Sequence, residues 1–229
     1  MSAALETLLD HPAIWRPGAG HRPVRAPALA TGFAVLDAAL PGGGWPLGAL
    51  TEILLAGPPA GPPAGAFAIQ GAGELTLVVP ALARLAARRR WIVWVAPPHV
   101  PYAPALAGRG IDPAQLLWIR SADPVEQLWA AEQSLRSGSC GAVLVWPAEV
   151  DHRRLRRLQL AAEQGQAWGV VMRADAVAPD SATPAALRLR VTHAPGALAV
   201  EMLKCRGRRG GWIEVDAGRD GAEPATAVA

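Results

Sequence analysis

The chain has 229 residues, 51% of them hydrophobic, and a formal net charge of +3 at pH 7. This length fits one α/β domain with short extensions, and the apolar fraction is large enough for a core without disulfides. The two cysteines and five histidines show no metal-ligand spacing, so no metal site is expected. Because Glu6 and Asp10 interrupt the first apolar run, we predict no signal peptide and a soluble, cytoplasmic protein without a membrane partner.

Residues 1–27 are predicted to form an N-terminal arm and linker. Leu5, Leu8 and Leu9 would share one face of a short helix, and several prolines and glycines then break the chain. Such an arm can mediate assembly, and a frayed terminus gives the same pattern. Trp15 lies in this segment and is a candidate partner contact, because exposed tryptophans contribute strongly to protein interfaces.

Residues 28–216 are predicted to form the main domain, in which strands and helices alternate before a final run of strands. The predicted strands are 51–55, 91–95, 116–119, 142–146, 168–172, 187–191, 197–205 and 212–215, and the predicted helices are 33–40, 75–88, 105–109, 124–136 and 151–164. This order favours an α/β fold whose mostly parallel central sheet is extended by antiparallel C-terminal strands. The composition of residues 217–229 predicts a disordered tail.

The segment between the strand at 51–55 and the next helix lies where a nucleotide-binding protein has its phosphate-binding loop. It contains Gly71 and Gly73, and Glu74 stands in place of the loop's lysine. Leu75 stands in place of the hydroxyl that binds Mg²⁺. A carboxylate repels the triphosphate that a lysine would neutralise, so no bound nucleotide or other cofactor is predicted. The two glycines are then explained as turn residues.

Several short motifs occur in the order and spacing of the RecA family. Thr31-Gly32, followed by Gly-Gly-Trp-Pro-Leu-Gly-Ala-Leu-Thr-Glu-Ile at 43–53, resembles the segment that leads into that family's P-loop strand, and the similarity continues over 29–215. Within that superfamily, the Trp15-Arg16 pair, the Gly-Gly-Gly-Trp-Pro-Leu-Gly turn and the Gly-Ala-Gly-Glu-Leu segment are similar to ImuA-like proteins. The resemblance implies a RecA-like P-loop-type core with a degenerate nucleotide site.

The same resemblance places the two acidic groups of an ATPase site on non-acidic residues. The catalytic glutamate would fall at Pro98 and the Walker B aspartate at Trp146. Proline has no proton to move, and an indole cannot hold Mg²⁺. Together with Glu74, these positions predict a non-enzymatic protein on a degenerate P-loop ATPase fold.

Membership of this group implies a function as a non-catalytic adaptor in SOS-induced translesion DNA synthesis, encoded in a mutagenesis cassette. The implied partners are a Y-family polymerase homologue (ImuB-like), the recombinase RecA and, indirectly, an error-prone replicative-type polymerase, and direct contact with DNA is left open. One alternative is a SulA-like cell-division inhibitor. The other is an active RecA-like ATPase with an unorthodox site.

Basic residues supply further candidate contacts with partners or nucleic acid. By the same resemblance, Lys204 and Arg206 stand where recombinases place two lysines that reach a neighbour's ATP. Arg208 and Arg209 continue this basic segment, which could track phosphates. A second cluster shares one side of a predicted helix and consists of Arg153, Arg156 and Arg157. Solvated strand and helix faces give the same charge patterns.

Overall fold

The computed structural model describes residues 27–55, 74–175, 183–194, 196–205 and 210–216. The predicted arm except for its last residue, the loop with Gly71 and Gly73, and the predicted tail at 217–229 lie outside the described residues. The strands are β1 (Ala28–Leu29), β2 (Trp45–Pro46), β3 (Ala49–Leu55), β4 (Trp91–Val95), β5 (Leu116–Ile119), β6 (Cys140–Val145), β7 (Trp168–Ala174), β8 (Leu187–Ala194), β9 (Ala197–Cys205) and β10 (Trp212–Val215). The helices are α1 (Ala34–Ala39), α2 (Glu74–Ala87), α3 (Ala103–Ala107), α4 (Pro124–Arg136) and α5 (His152–Gly165), with a 3₁₀ turn at Pro113–Gln115.

Eight of these strands form one mixed sheet in the order β10-β9-β8-β3-β7-β6-β4-β5. The strands from β8 to β5 in this order run parallel, whereas β9 and β10 pair antiparallel at the other edge. The strands β4 and β6 are continuous apolar runs, as expected for parallel strands that are covered on both faces, whereas β3, β7 and β8 also contain charged residues. A short ladder of β1 and β2 lies outside this sheet.

The sheet separates two apolar layers. In one layer, Leu77 and Leu82 of α2 belong to the same buried cluster as Ile53 and Met172 of the central strands. The other layer contains buried side chains of α4 and α5, together with residues of β4 and β6 that point to the opposite side of the sheet. Helices α4 and α5 are therefore the covering elements of one face, and their outer surfaces are available to solvent.

Capping residues fix the starts of α4 and α5. The carboxylate of Asp123 accepts a hydrogen bond from Val125 N at 2.8 Å, and that of Asp151 accepts one from Arg154 N at 2.7 Å. The side chain of Gln159 accepts a hydrogen bond from Leu50 N at 3.0 Å in a buried position. The cap and this bond fix α5 both along its axis and against β3.

The Thr31-Gly32 motif forms a tight turn ahead of α1. Thr31 N donates to the carboxylate of Asp37 at 2.8 Å, and Gly32 has a φ of +94°. A Cβ on Gly32 would lie 2.5 Å from Cβ of Pro80 in α2. The glycine is therefore required both by its backbone conformation and by the close approach of α2.

The predicted RecA-like P-loop core with a degenerate nucleotide site is wrong. The described residues form an α/β fold with a mixed sheet, and nothing in them shows a P-loop core. The helix that follows β3 begins at Glu74, whose side chain is buried against the domain. The order strand, glycine, helix is common among α/β folds, so it did not distinguish this fold from a P-loop fold.

Within the described ranges, no helix has the length and apolar character needed to cross a lipid bilayer.

Candidate functional site

The start of α2 carries a buried acidic side chain. Glu74 is the first residue of this helix and is only 5% exposed, and Leu75 packs against the core from a partly buried position. A carboxylate at a helix N-terminus interacts favourably with the helix dipole and occupies the end at which helices bind anions. Glu74 therefore stabilises this end of α2 by itself and opposes binding of a phosphate there.

The carboxyl ends of β4 and β6 are closed by aromatic side chains. Trp146, directly after β6, is buried and lies edge-to-face against Trp94, with ring centroids 5.7 Å apart. Trp146 N also donates to Val95 O at 3.3 Å, and Pro98 lies exposed in the turn after β4. Among the described residues, no group of three or more His, Cys, Asp or Glu could hold a metal ion. At this edge of the sheet, the rings of Trp94 and Trp146 form an apolar contact.

A cluster of buried ion pairs lies in the middle of the sheet. The sequence analysis did not predict it. Glu52 on β3 is 0% exposed, and its two carboxylate oxygens lie 3.0 Å from Arg173 on β7 and 3.2 Å from Arg188 on β8. The available signal in the sequence was a charged residue in each of the strands β3, β7 and β8. Because the pairs join residues more than a hundred positions apart, only the strand register brings them together.

A second cluster continues this charge network towards the antiparallel edge. Arg190 binds Asp175 at 2.9 Å and Glu201 at 2.6 Å. The hydrogen bond to Glu201, followed by the one to Asp175, raises the pKa of the Arg190 guanidinium above its ordinary value. Lys204 Nζ donates to the carbonyl of Thr183, so this candidate contact is engaged within the chain. Arg206, Arg208 and Arg209 lie outside the described residues, as does Trp15.

The predicted arginine cluster lies on α5, at its packing seam with α4. Arg157 binds the carboxylate of Glu132 on α4 at 2.7 Å, and Arg136 binds the other oxygen of the same carboxylate at 2.8 Å. Arg153 and Arg156 are exposed on the same helix. The structure thus joins one of the three predicted arginines to α4, and it adds the exposed Trp129, which the sequence analysis did not single out.

Part of this α/β chain is similar to SulA. The family model "Cell division inhibitor SulA" matches residues 70–169. The SulA of Edwardsiella piscicida is 33% identical over 99 residues, which is 43% of this chain and 59% of that protein. A crystal structure of SulA from Pseudomonas aeruginosa, 24% identical, matches with a TM-score of 0.41 over 54% of this chain and 97% of that chain.

A longer similarity identifies the family. Protein ImuA of Caulobacter vibrioides (strain NA1000 / CB15N) is 30% identical over 209 residues, which cover 82% of this chain and 82% of that protein. The chain belongs to the ImuA family. The resemblance to ImuA-like proteins and the relationship with SulA are therefore confirmed.

These comparisons also overturn the predicted RecA-like core. The family model that matches the region from before α2 to the start of β7 describes SulA, where the sequence analysis placed the P-loop and its helix. Glu74, Pro98 and Trp146 all lie within the range that the SulA model matches.

Proposed function

We propose that this protein is a DNA-damage-associated, SulA-like adaptor that acts in SOS-induced translesion synthesis and binds a Y-family polymerase homologue and the recombinase RecA. The observation that carries the proposal is the 30% identity to ImuA, which extends over 82% of both chains. This similarity extends over most of the chain and is not confined to the segment that the SulA model matches.

The proposed role is non-enzymatic. The relatives are named as ImuA and as cell division inhibitor SulA, and neither name describes an enzyme. An adaptor needs surfaces that bind, and the domain offers exposed arginines and tryptophans for that purpose. In this proposal, the error-prone replicative-type polymerase is an indirect partner that would be recruited through the polymerase homologue.

Inhibition of cell division is the second candidate function. It is supported by the match of the SulA model to residues 70–169. The SulA of Edwardsiella piscicida matches 43% of the chain, about half the share covered by the similarity to ImuA. Strands β8 to β10 lie outside residues 70–169, so the inhibitor proposal leaves the antiparallel edge without a role.

Two assays separate these functions. The full chain would be co-expressed with the polymerase homologue of its own genome and, separately, with RecA and with the tubulin-like division protein, and each pair would be tested by affinity capture. We expect capture of the polymerase homologue and RecA, and loss of damage-induced mutagenesis in a deletion strain. Capture of only the division protein, with filamentous cells on overproduction, would replace the adaptor by the inhibitor.

The same captures test the remaining candidate contacts. We propose that the arm at 1–27 contributes to assembly, and that Lys204 and Arg206 contribute to binding of RecA. Deleting residues 2–27, or changing Lys204→Ala together with Arg206→Ala, should weaken the capture of RecA. Arg208→Ala with Arg209→Ala tests the adjoining positions. Unchanged capture by all three variants would remove these segments from the proposal.

A further inference from the structure

Helices α4 and α5 are locked together by one buried carboxylate. The side chain of Glu132 is only 7% exposed, yet it forms ion pairs with Arg136, through a hydrogen bond, and with Arg157, and both arginines keep about half of their side-chain surface in solvent. Ion pairs with a buried carboxylate fix the direction of a guanidinium better than solvent does. The two arginines are therefore oriented before any partner arrives, and their remaining N–H groups are available to it.

Exposed apolar side chains lie along the same outer surface of α4. Val125 and Trp129 are four residues apart, and Glu132 and Arg136 continue this stripe at helical spacing. Trp129 is 60% exposed, although most of the described tryptophans are buried or partly buried. An exposed tryptophan beside ordered arginines has the composition of an interface hot spot.

The neighbouring stripe of α5 has the same mixed character. Arg153, Arg157 and Leu160 follow one another at helical spacing, and both Arg153 and Leu160 are exposed. We define the α4–α5 face as Val125, Trp129 and Arg136 of α4 with Arg153, Arg157 and Leu160 of α5. Three arginines against the single carboxylate of Glu132 give this face a net positive charge.

The composition of the face decides which class of partner fits. Its positive charge is complementary to carboxylates, and its apolar residues need apolar side chains to cover them. A nucleic-acid backbone offers phosphates but nothing aliphatic to pack on Val125 and Leu160. These observations favour an acidic, amphipathic protein segment.

We propose that the α4–α5 face binds such a segment of the polymerase homologue. The apolar side chains of that segment would pack on Trp129, and its carboxylates would bind Arg136 and Arg157. This inference rests on the proposed function and adds to it the surface and the chemistry of the contact. A helix laid along the groove between two packed helices would present both kinds of side chain at matching spacing.

Binding of the purified polymerase homologue to the full chain tests this assignment. Trp129→Ala should weaken binding about tenfold or more, because truncated hot-spot tryptophans typically cost over 1.4 kcal/mol. Arg153 forms no ion pair with another described residue. Arg153→Glu should weaken binding in low salt, and the difference from wild type should shrink as NaCl is raised. Circular dichroism would verify that each variant is folded.

Two matched variants serve as controls. Trp212→Ala removes a tryptophan that is 63% exposed but lies at the start of β10, on the far edge of the sheet. Arg109→Glu reverses an exposed charge after α3. Both should bind the polymerase homologue like the wild type.

The outcomes separate this inference from the proposed function. If the wild type binds the homologue and Trp129→Ala binds equally well, the α4–α5 face is not the contact and the adaptor function stands. If the wild type does not bind the homologue at all, the adaptor function and this contact both fail. Binding of a single-stranded oligonucleotide that Trp129→Ala abolishes would overturn the protein-segment assignment in favour of a nucleic-acid surface.

Discussion

Glu52 on β3 and Arg173 on β7 form an ion pair with an oxygen–nitrogen distance of 3.0 Å at the centre of the sheet, where Glu52 has no solvent exposure. Arg188 on β8 approaches the second oxygen of the same carboxylate at 3.2 Å. One carboxylate therefore connects three adjacent parallel strands. The charges satisfy one another only in this strand order and register, so the cluster opposes any other pairing of these strands.

Changing Glu52→Ala should destabilise the protein by about 3–5 kcal/mol, because it leaves two buried guanidinium groups without their carboxylate. The measurement is the free energy of unfolding from urea denaturation followed by circular dichroism. Glu201→Ala is the matched control, since its pair with Arg190 is partly exposed, and it should cost only about 0–1 kcal/mol. A loss below about 1 kcal/mol for Glu52→Ala would show that solvent reaches the cluster.

Local sequence patterns predicted the elements of this fold much better than their long-range partners. The predicted ranges 91–95, 116–119 and 124–136 coincide with β4, β5 and α4, because apolar runs and a capping Asp123 specify them locally. The pairing of Glu52 with Arg173 depends on two strands that are distant in sequence. The α4–α5 face likewise depends on how two helices pack, which no local pattern contains.

Glu74→Lys should destabilise the protein by about 2 kcal/mol. The substitution puts a positive charge into a buried site at the N-terminus of α2, where the helix dipole favours a negative one. Glu74→Gln removes the charge without reversing it and should cost less. Thermal unfolding of both variants beside the wild type measures the difference. A lysine variant as stable as the wild type would contradict the assigned role of this carboxylate.

The wrong prediction of a RecA-like core arose from local sequence patterns, as did the correct predictions of single strands and helices. The Gly71-to-Leu75 segment comes after β3 and continues into the first two residues of α2, which is the local order of a phosphate-binding loop. This order is shared by folds that bind no nucleotide. Glu74, Pro98 and Trp146 indicate lost ATPase residues only if a RecA-like fold is assumed.

Thr51→Val should cost about 1–3 kcal/mol although it preserves the shape of the side chain. Trp168 donates its indole N–H to Thr51 Oγ1 at 3.0 Å, and both residues are fully buried. The valine variant leaves this donor without its acceptor in an apolar layer. Thr51→Ser keeps the acceptor and should lose only the smaller contribution of one methyl group. Equal stabilities of the valine and serine variants, measured in urea, would argue that this hydrogen bond contributes little.

Gly165→Ala should destabilise the protein by about 2–3 kcal/mol, although helix propensity favours alanine over glycine. Gly165 ends α5, and a Cβ at this position would lie 1.8 Å from the carbonyl oxygen of Leu135 on α4. Because that atom belongs to the backbone of a packed helix, the two helices must separate. Gly108→Ala is the control, since its Cβ would lie 3.4 Å from the nearest atom. Urea denaturation should show a loss of stability for Gly165→Ala and little change for Gly108→Ala.

The same separation of α4 and α5 would lengthen the contact between Glu132 and Arg157, so Gly165→Ala should also weaken binding of the polymerase homologue in the folded protein. A Gly165→Ala variant that is as stable as the wild type would show that α4 and α5 tolerate a wider spacing.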